Sequence, residues 1–175
     1  MEVFLPADYP HSVSSGYLPF TMYNCAGQVS ITAMCFISTQ VCIVSVMGGT
    51  TDQAGIAAAA FIFALKEGVG PLGGILFASR YGKNFDEDIK KWRFMSTVAF
   101  NLALYIECMT LQFPGHFLLL ASIANACKNI TFLLAAASRA SINLRFAKSN
   151  NMGDISGKSV SQFTATNMIG MAIGL

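Results

Sequence analysis

A chain of 175 residues is sized for one domain, and 54% hydrophobic against 11% charged residues leaves too little charge to coat a water-exposed surface, which in soluble domains takes about 25%. The formal net charge of +2 is not gathered into a basic strip interleaved with aromatics, and no nucleic-acid fold motif is present, which excludes a nucleic-acid partner. The bases are instead ordered along the chain: the first is Lys66, then Arg80, Lys83, Lys90, Lys91 and Arg93 fall in one stretch, and Arg139, Arg145, Lys148 and Lys158 in another. Apolar runs separate these stretches, a membrane pattern that puts both on one face of a bilayer.

Residues 1–28 hold Pro6, Pro10 and Pro19 among Ser, Gly and Tyr, which predicts an ordered, non-helical, proline-containing lead-in. Residues 29–175 form a helical membrane domain. Val29 to Gly49 is apolar apart from Ser, Thr and Gln40, and as a helix it is about 31 Å long, the thickness of a hydrocarbon core. Gly48-Gly49-Thr50-Thr51-Asp52-Gln53 predicts a tight polar turn.

The second apolar region, Ala54 to Ser79, contains Lys66-Glu67-Gly68-Val69-Gly70-Pro71-Leu72-Gly73-Gly74. A proline lacking a backbone donor among Gly68, Gly70, Gly73 and Gly74 predicts a kink or break there. About 26 residues suffice for one tilted crossing, which would put residues 1–28 on the face of the basic stretches; a re-entrant path would reverse them. A third run covers Phe94 to Phe113, Pro114-Gly115-His116 is a turn, a fourth run covers Phe117 to Ala137, and a fifth starts near Phe163. The fold class is therefore all-α, a multi-pass transmembrane bundle of about five spans. The final run stops at Gly174-Leu175 with no polar end, which predicts a chain shortened at its C-terminus.

Lys66, Glu67, Glu107 and Lys128 are the ionisable residues inside the apolar runs, where each costs at least about 2.5 to 3.5 kcal/mol near a helix centre. Two bases and two acids cancel. Glu107 is offset from the centre of its run by roughly 6 Å, within reach of a lysine side chain, so a buried pair or triad is feasible. Lys66 and Glu67 are consecutive and should face partners on neighbouring helices, not each other. The set reads either as a mid-membrane polar binding site at a broken helix or as a neutralised structural pair that fixes helix register.

The spacings Gly70–Gly74 and Gly170–Gly174 point to close helix packing. Cys25, Cys35, Cys42, Cys108 and Cys127 lie in or beside apolar runs without CxxC or His pairing, and His11 and His116 lack nearby ligands, so no metal, cofactor or catalytic set is expected. Asn129-Ile130-Thr131 matches a glycosylation acceptor but lies inside an apolar run. No cleaved targeting peptide is evident in the opening residues.

The motifs Phe4-Leu5-Pro6, Tyr9-Pro10, Ser12-Val13-Ser14, Tyr17-Leu18-Pro19, Ser38-Thr39-Gln40, Lys66-Glu67-Gly68-Val69-Gly70, Lys91-Trp92-Arg93 and Asn151-Met152-Gly153-Asp154 resemble, in order, those of the root UVB sensitive family. The chain departs from that pattern at Phe63, Glu67, Thr97, Asn101 and the Ser159-Val160 pair. The resemblance implies an integral membrane protein of plastid or endomembrane that acts with a homologous partner in vitamin B6 homeostasis and the UV-B response. A fainter similarity, around Arg80-Tyr81-Gly82-Lys83, is to the N-terminal half of a major facilitator transporter. Together they suggest carrier-like transport of a small anionic ligand, or else a non-transporting membrane scaffold; neither is an enzyme.

Overall fold

A computed structural model describes residues 3–48, 53–85, 87–148 and 150–175. Its long elements are five α-helices: α1 (Tyr17–Met47), α2 (Gln53–Tyr81), α3 (Ile89–Met109), α4 (Phe117–Phe146) and α5 (Met152–Gly174). Short 3-10 turns at Gly82–Asn84 and Pro114–His116 lead into α3 and α4. Among the described residues, α1, α2 and α4 are long and apolar enough to cross a membrane. The expected turn at Gly49–Asp52 and the acid Asp86 lie outside the described residues.

The polarity is turned inside out. Large apolar side chains such as Phe61, Leu76 and Phe94 are exposed, while Lys66, Glu107, Lys128 and Asn125 are buried. In water that distribution would waste the hydrophobic effect and strand charges; in lipid it leaves apolar surface against acyl chains and gathers polar groups where they satisfy one another.

Helix boundaries correct the sequence reading at three places. The lead-in ends at Gly16, whose φ of +96° suits glycine, and α1 starts at Tyr17, twelve residues ahead of Val29. Pro19 sits in the first turn, where backbone N–H groups have no intrahelical acceptor and its missing donor costs nothing. The helix α5 begins at Met152, not near Phe163, because the polar stretch 152–162 still presents Ile155 and Ser159 to the interior. The second basic stretch is accordingly mostly helical, with Arg139 and Arg145 on α4 and Lys158 on α5.

The third correction concerns the break, one of the two outcomes, kink or break, expected at Gly68–Gly74. The helix α2 is continuous over 29 residues with Pro71 inside it. Its glycines serve an approach to α4 instead: a Cβ on Gly70 would stand 2.6 Å from Asn129 Nδ2, and one on Gly73 2.6 Å from Ala126 Cβ. Close packing along this face offsets the donor that Pro71 removes.

Two compact units make up the chain, residues 1–37 with 139–175 and residues 38–138. In the first, Val13, Tyr17 and Ile155 form a core flanked by Leu5, Tyr9 and Phe146, with the Tyr17 and Phe146 rings edge-on at 5.5 Å. The lead-in is held by Val13 bridging to Ala147, by Ala7 N donating to Asp154 at 2.8 Å and by Gln162 donating to Phe4 O at 2.6 Å. Gly170 and Gly174 lie against Thr32 and Ala33. In the second unit, Cys42, Phe117 and Ala121 pack with Val46, Ile62 and Phe63, and Thr131 on α4 donates to Ser96 O on α3 at 3.2 Å.

Candidate intramembrane charge site

Unit two contains every ionisable residue singled out from the apolar runs, and its helices bring three of them together. Lys66 lies mid-way along α2, Glu107 in the last turn of α3 and Lys128 on α4. Lys128 Nζ is 2.5 Å from Glu107 Oε2, and Lys66 Nζ is 3.6 Å from Glu107 Oε1. Exposure is 3% at Lys66, 0% at Glu107 and 7% at Lys128, so the carboxylate is shut in between two ammonium groups. The Ser38 hydroxyl of α1 also donates to Glu107 Oε2. The ring of Phe63, 4.5 Å from Lys66 Nζ, completes the shell by a cation–π contact.

Glu67 behaves differently from its neighbour. Its side chain is 53% exposed, yet its Oε1 is 3.2 Å from Lys66 Nζ, so the consecutive residues do meet, contrary to the expectation from helical geometry. The reason lies in Asn125 of α4, whose amide donates to Lys66 O at 3.1 Å and to Glu67 Oε2 at 3.3 Å. That bond draws the carboxylate back across the helix surface, and the long lysine stem covers the remaining arc. The α3 end is fixed by Thr110, whose hydroxyl donates to Glu107 O at 2.6 Å and lies 3.0 Å from Ser45 Oγ of α1.

The inner set of two lysines and one carboxylate carries an excess positive charge, and Glu67 supplies the fourth member from the periphery. Gly70, Pro71, Gly73 and Gly74 do not open a gap beside the cluster; Gly70 lets Asn125 and Asn129 come close to the α2 backbone. Sequence reasoning did not place Ser38 or Asn125 at the site. Asn125 carried a signal, since it stands three residues before Lys128 on the same face of α4; Ser38 stood out only within the Ser38-Thr39-Gln40 motif, without a role.

These features define a class: an all-helical protein with helices able to span a bilayer and ionised side chains neutralised in its interior. A family model described as "Vitamin B6 photo-protection and homoeostasis domain" matches residues 1–175. The chain belongs to the root UVB sensitive family. It is 29% identical to protein root UVB sensitive 3 of Arabidopsis thaliana over all of this chain and 40% of that protein. It is 32% identical to RUS family member 1 of Dictyostelium discoideum, covering 99% of this chain and 33% of that one. With protein root UVB sensitive 2, chloroplastic, of Arabidopsis thaliana it shares 30% over 100% of this chain and 40% of the relative. The chain thus spans two-fifths or less of the length of these relatives. No solved structure matches it.

Proposed function

We propose that this chain works in vitamin B6 homeostasis as a multi-pass membrane carrier, not an enzyme, and that it passes a small anion beside Lys66. The observation that carries the reading is the uneven pair of acids: Glu107 is sealed between Lys66 and Lys128, whereas Glu67 is more than half exposed. A buried lysine whose second counterion is displaceable can exchange it for a phosphate or carboxylate of similar charge and reach. Glu107 remains as the fixed partner, so the cluster is never left with bare cations.

Transport requires α3 to cross with its neighbours. Its polar residues explain its lower apolarity, because Glu107 and Ser96 point inward, and a helix joined to α2 and α4 through Glu107 shares their depth in the bilayer. With α5, this gives five crossings.

The family description directs the choice of probe. Purified chain in liposomes should take up pyridoxal 5′-phosphate, and Lys66→Met should lower uptake by about tenfold or more. Equal uptake with and without the lysine sinks the carrier reading.

A second reading, a scaffold for a homologous family member, is favoured by one observation. Val3 and Phe4 are 62% and 46% exposed on a lead-in that Gln162 and Asp154 hold in place, an arrangement suited to docking. Co-purification that survives Lys66→Met but is lost with Phe4→Asp would support it; co-purification indifferent to Phe4→Asp would remove it.

A further inference from the structure

The end of α2, Asn84 and Phe85 gather around the chain's single tryptophan. Trp92 is 8% exposed, and its indole N–H donates to Asn84 O at 2.8 Å. Phe85 stands edge-on to it at 5.2 Å, and Phe77 and Tyr81 lie at 6.2 Å. The four rings form a platform where α2 and α3 meet, and aromatic clusters of this kind sit at the level of lipid headgroups.

On this platform lies a cavity of about 330 Å³ lined by Arg80, Tyr81, Glu87, Asp88, Lys91 and Trp92, within the size range of small-ligand sites. Its charges are of both signs. Arg80 and Lys91 are donors suited to a phosphate. Glu87 and Asp88 are partly engaged, through Asn84 Nδ2 at 3.1 Å and the Lys91 backbone N–H at 3.2 Å, and each carboxylate has a second oxygen. A simple anion entering here would be attracted by one pair and repelled by the other, and a simple cation the reverse. A molecule bearing both charges satisfies all four groups.

We propose that this cavity binds a zwitterionic phosphate: a phosphate ester with an ammonium group a few bonds away, as presented by an ethanolamine phospholipid. The phosphate lies toward Arg80 and Lys91, and the ammonium toward Glu87 and Asp88 with the Tyr81 face beside it. The same chemistry is available from a soluble amino-phosphate. The inference rests on the proposed crossing of α2 and α3 but not on transport, so it can hold where the uptake assay fails, and fail where uptake succeeds.

Because Trp92 is the sole tryptophan, its emission reports on this segment alone. Purified chain in detergent is titrated with short-chain phosphatidylethanolamine, phosphatidylglycerol and soluble phosphoethanolamine. Saturable change with phosphatidylethanolamine, and half-saturation at about tenfold higher concentration with phosphatidylglycerol, is expected. Arg80→Gln and Glu87→Gln should each weaken the ethanolamine lipid by about tenfold, whereas Lys83→Gln, outside the cavity lining, should not. Circular dichroism identifies a variant that has failed to fold, and the remaining one then decides. Phosphoethanolamine matching the lipid assigns the zwitterion to an aqueous source; weaker binding assigns it to lipid. An equal response to both lipids, or variants indistinguishable from the parent, overturns the proposal.

Discussion

Lys128 and Ser38 converge on one oxygen of Glu107: the ammonium stands 2.5 Å from Oε2 and the Ser38 hydroxyl donates to the same atom. The other oxygen faces Lys66 at 3.6 Å. One carboxylate thus ties α1, α2, α3 and α4 within unit two, and it has no access to solvent.

Glu107→Gln is the substitution expected to harm folding most. It leaves two buried ammonium groups without their shared counterion, a loss of about 3 to 5 kcal/mol. Adding Lys128→Met should recover part of that loss, since the cluster acts as a unit. Thermal unfolding in detergent checks both; a Glu107→Gln protein that melts like the parent would show that the cluster does not hold the helices.

Glu67→Gln should cost clearly less stability than Glu107→Gln, because Lys66 keeps the buried Glu107 as its counterion when Glu67 is neutralised. If Glu67 is the displaceable counterion, the change acts on uptake, altering the concentration of anion needed for half-maximal flux. A Glu67→Gln protein that unfolds as readily as Glu107→Gln would contradict the division between fixed and displaceable acids.

Two glycines of α2, two positions apart, should respond in opposite senses. At Gly70 an added methyl meets Asn125 and Asn129, and overpacking costs about 1 to 3 kcal/mol. At Gly68 nothing lies within 4 Å, so Gly68→Ala should be neutral or stabilising by up to about 1 kcal/mol from helix propensity. Melting temperatures of the two variants make the comparison.

In the other unit, Asp154→Asn should loosen the lead-in. The bond from Ala7 N to the Asp154 carboxylate changes from charge-assisted to neutral, weakening the attachment by about 1 kcal/mol. Amide exchange over residues 4–14 should accelerate about fivefold. Unchanged exchange would mean that Gln162 and the Val13–Ala147 bridge suffice.

The charged cluster was legible in the sequence because ionised side chains in apolar runs are too costly to leave unpartnered, and Lys66, Glu107 and Lys128 announce themselves on that ground alone. Ser38 was not, and Asn125 was marked only by its spacing from Lys128. Hydroxyls and amides are tolerated in such helices on any face, and which face turns inward depends on helix rotation, a tertiary quantity. The element count was legible, but the starts at Tyr17 and Met152 were not, since polar residues there read as loop when only a few of them point inward. At Gly68–Gly74 the same residues fit either a break or a close helix contact, and only the presence of Asn125, Ala126 and Asn129 opposite decides for contact.

The most direct test of the membrane account concerns α3, which joins Lys83 at one end of the α2–α3 segment to His116 in the turn before α4. In a cysteine-free background reconstituted in vesicles, Lys83→Cys and His116→Cys should react with an impermeant thiol reagent from opposite sides. Reaction of both from the same side would contradict the account, because Glu107 could then not lie at the depth of Lys66 and Lys128 in the bilayer.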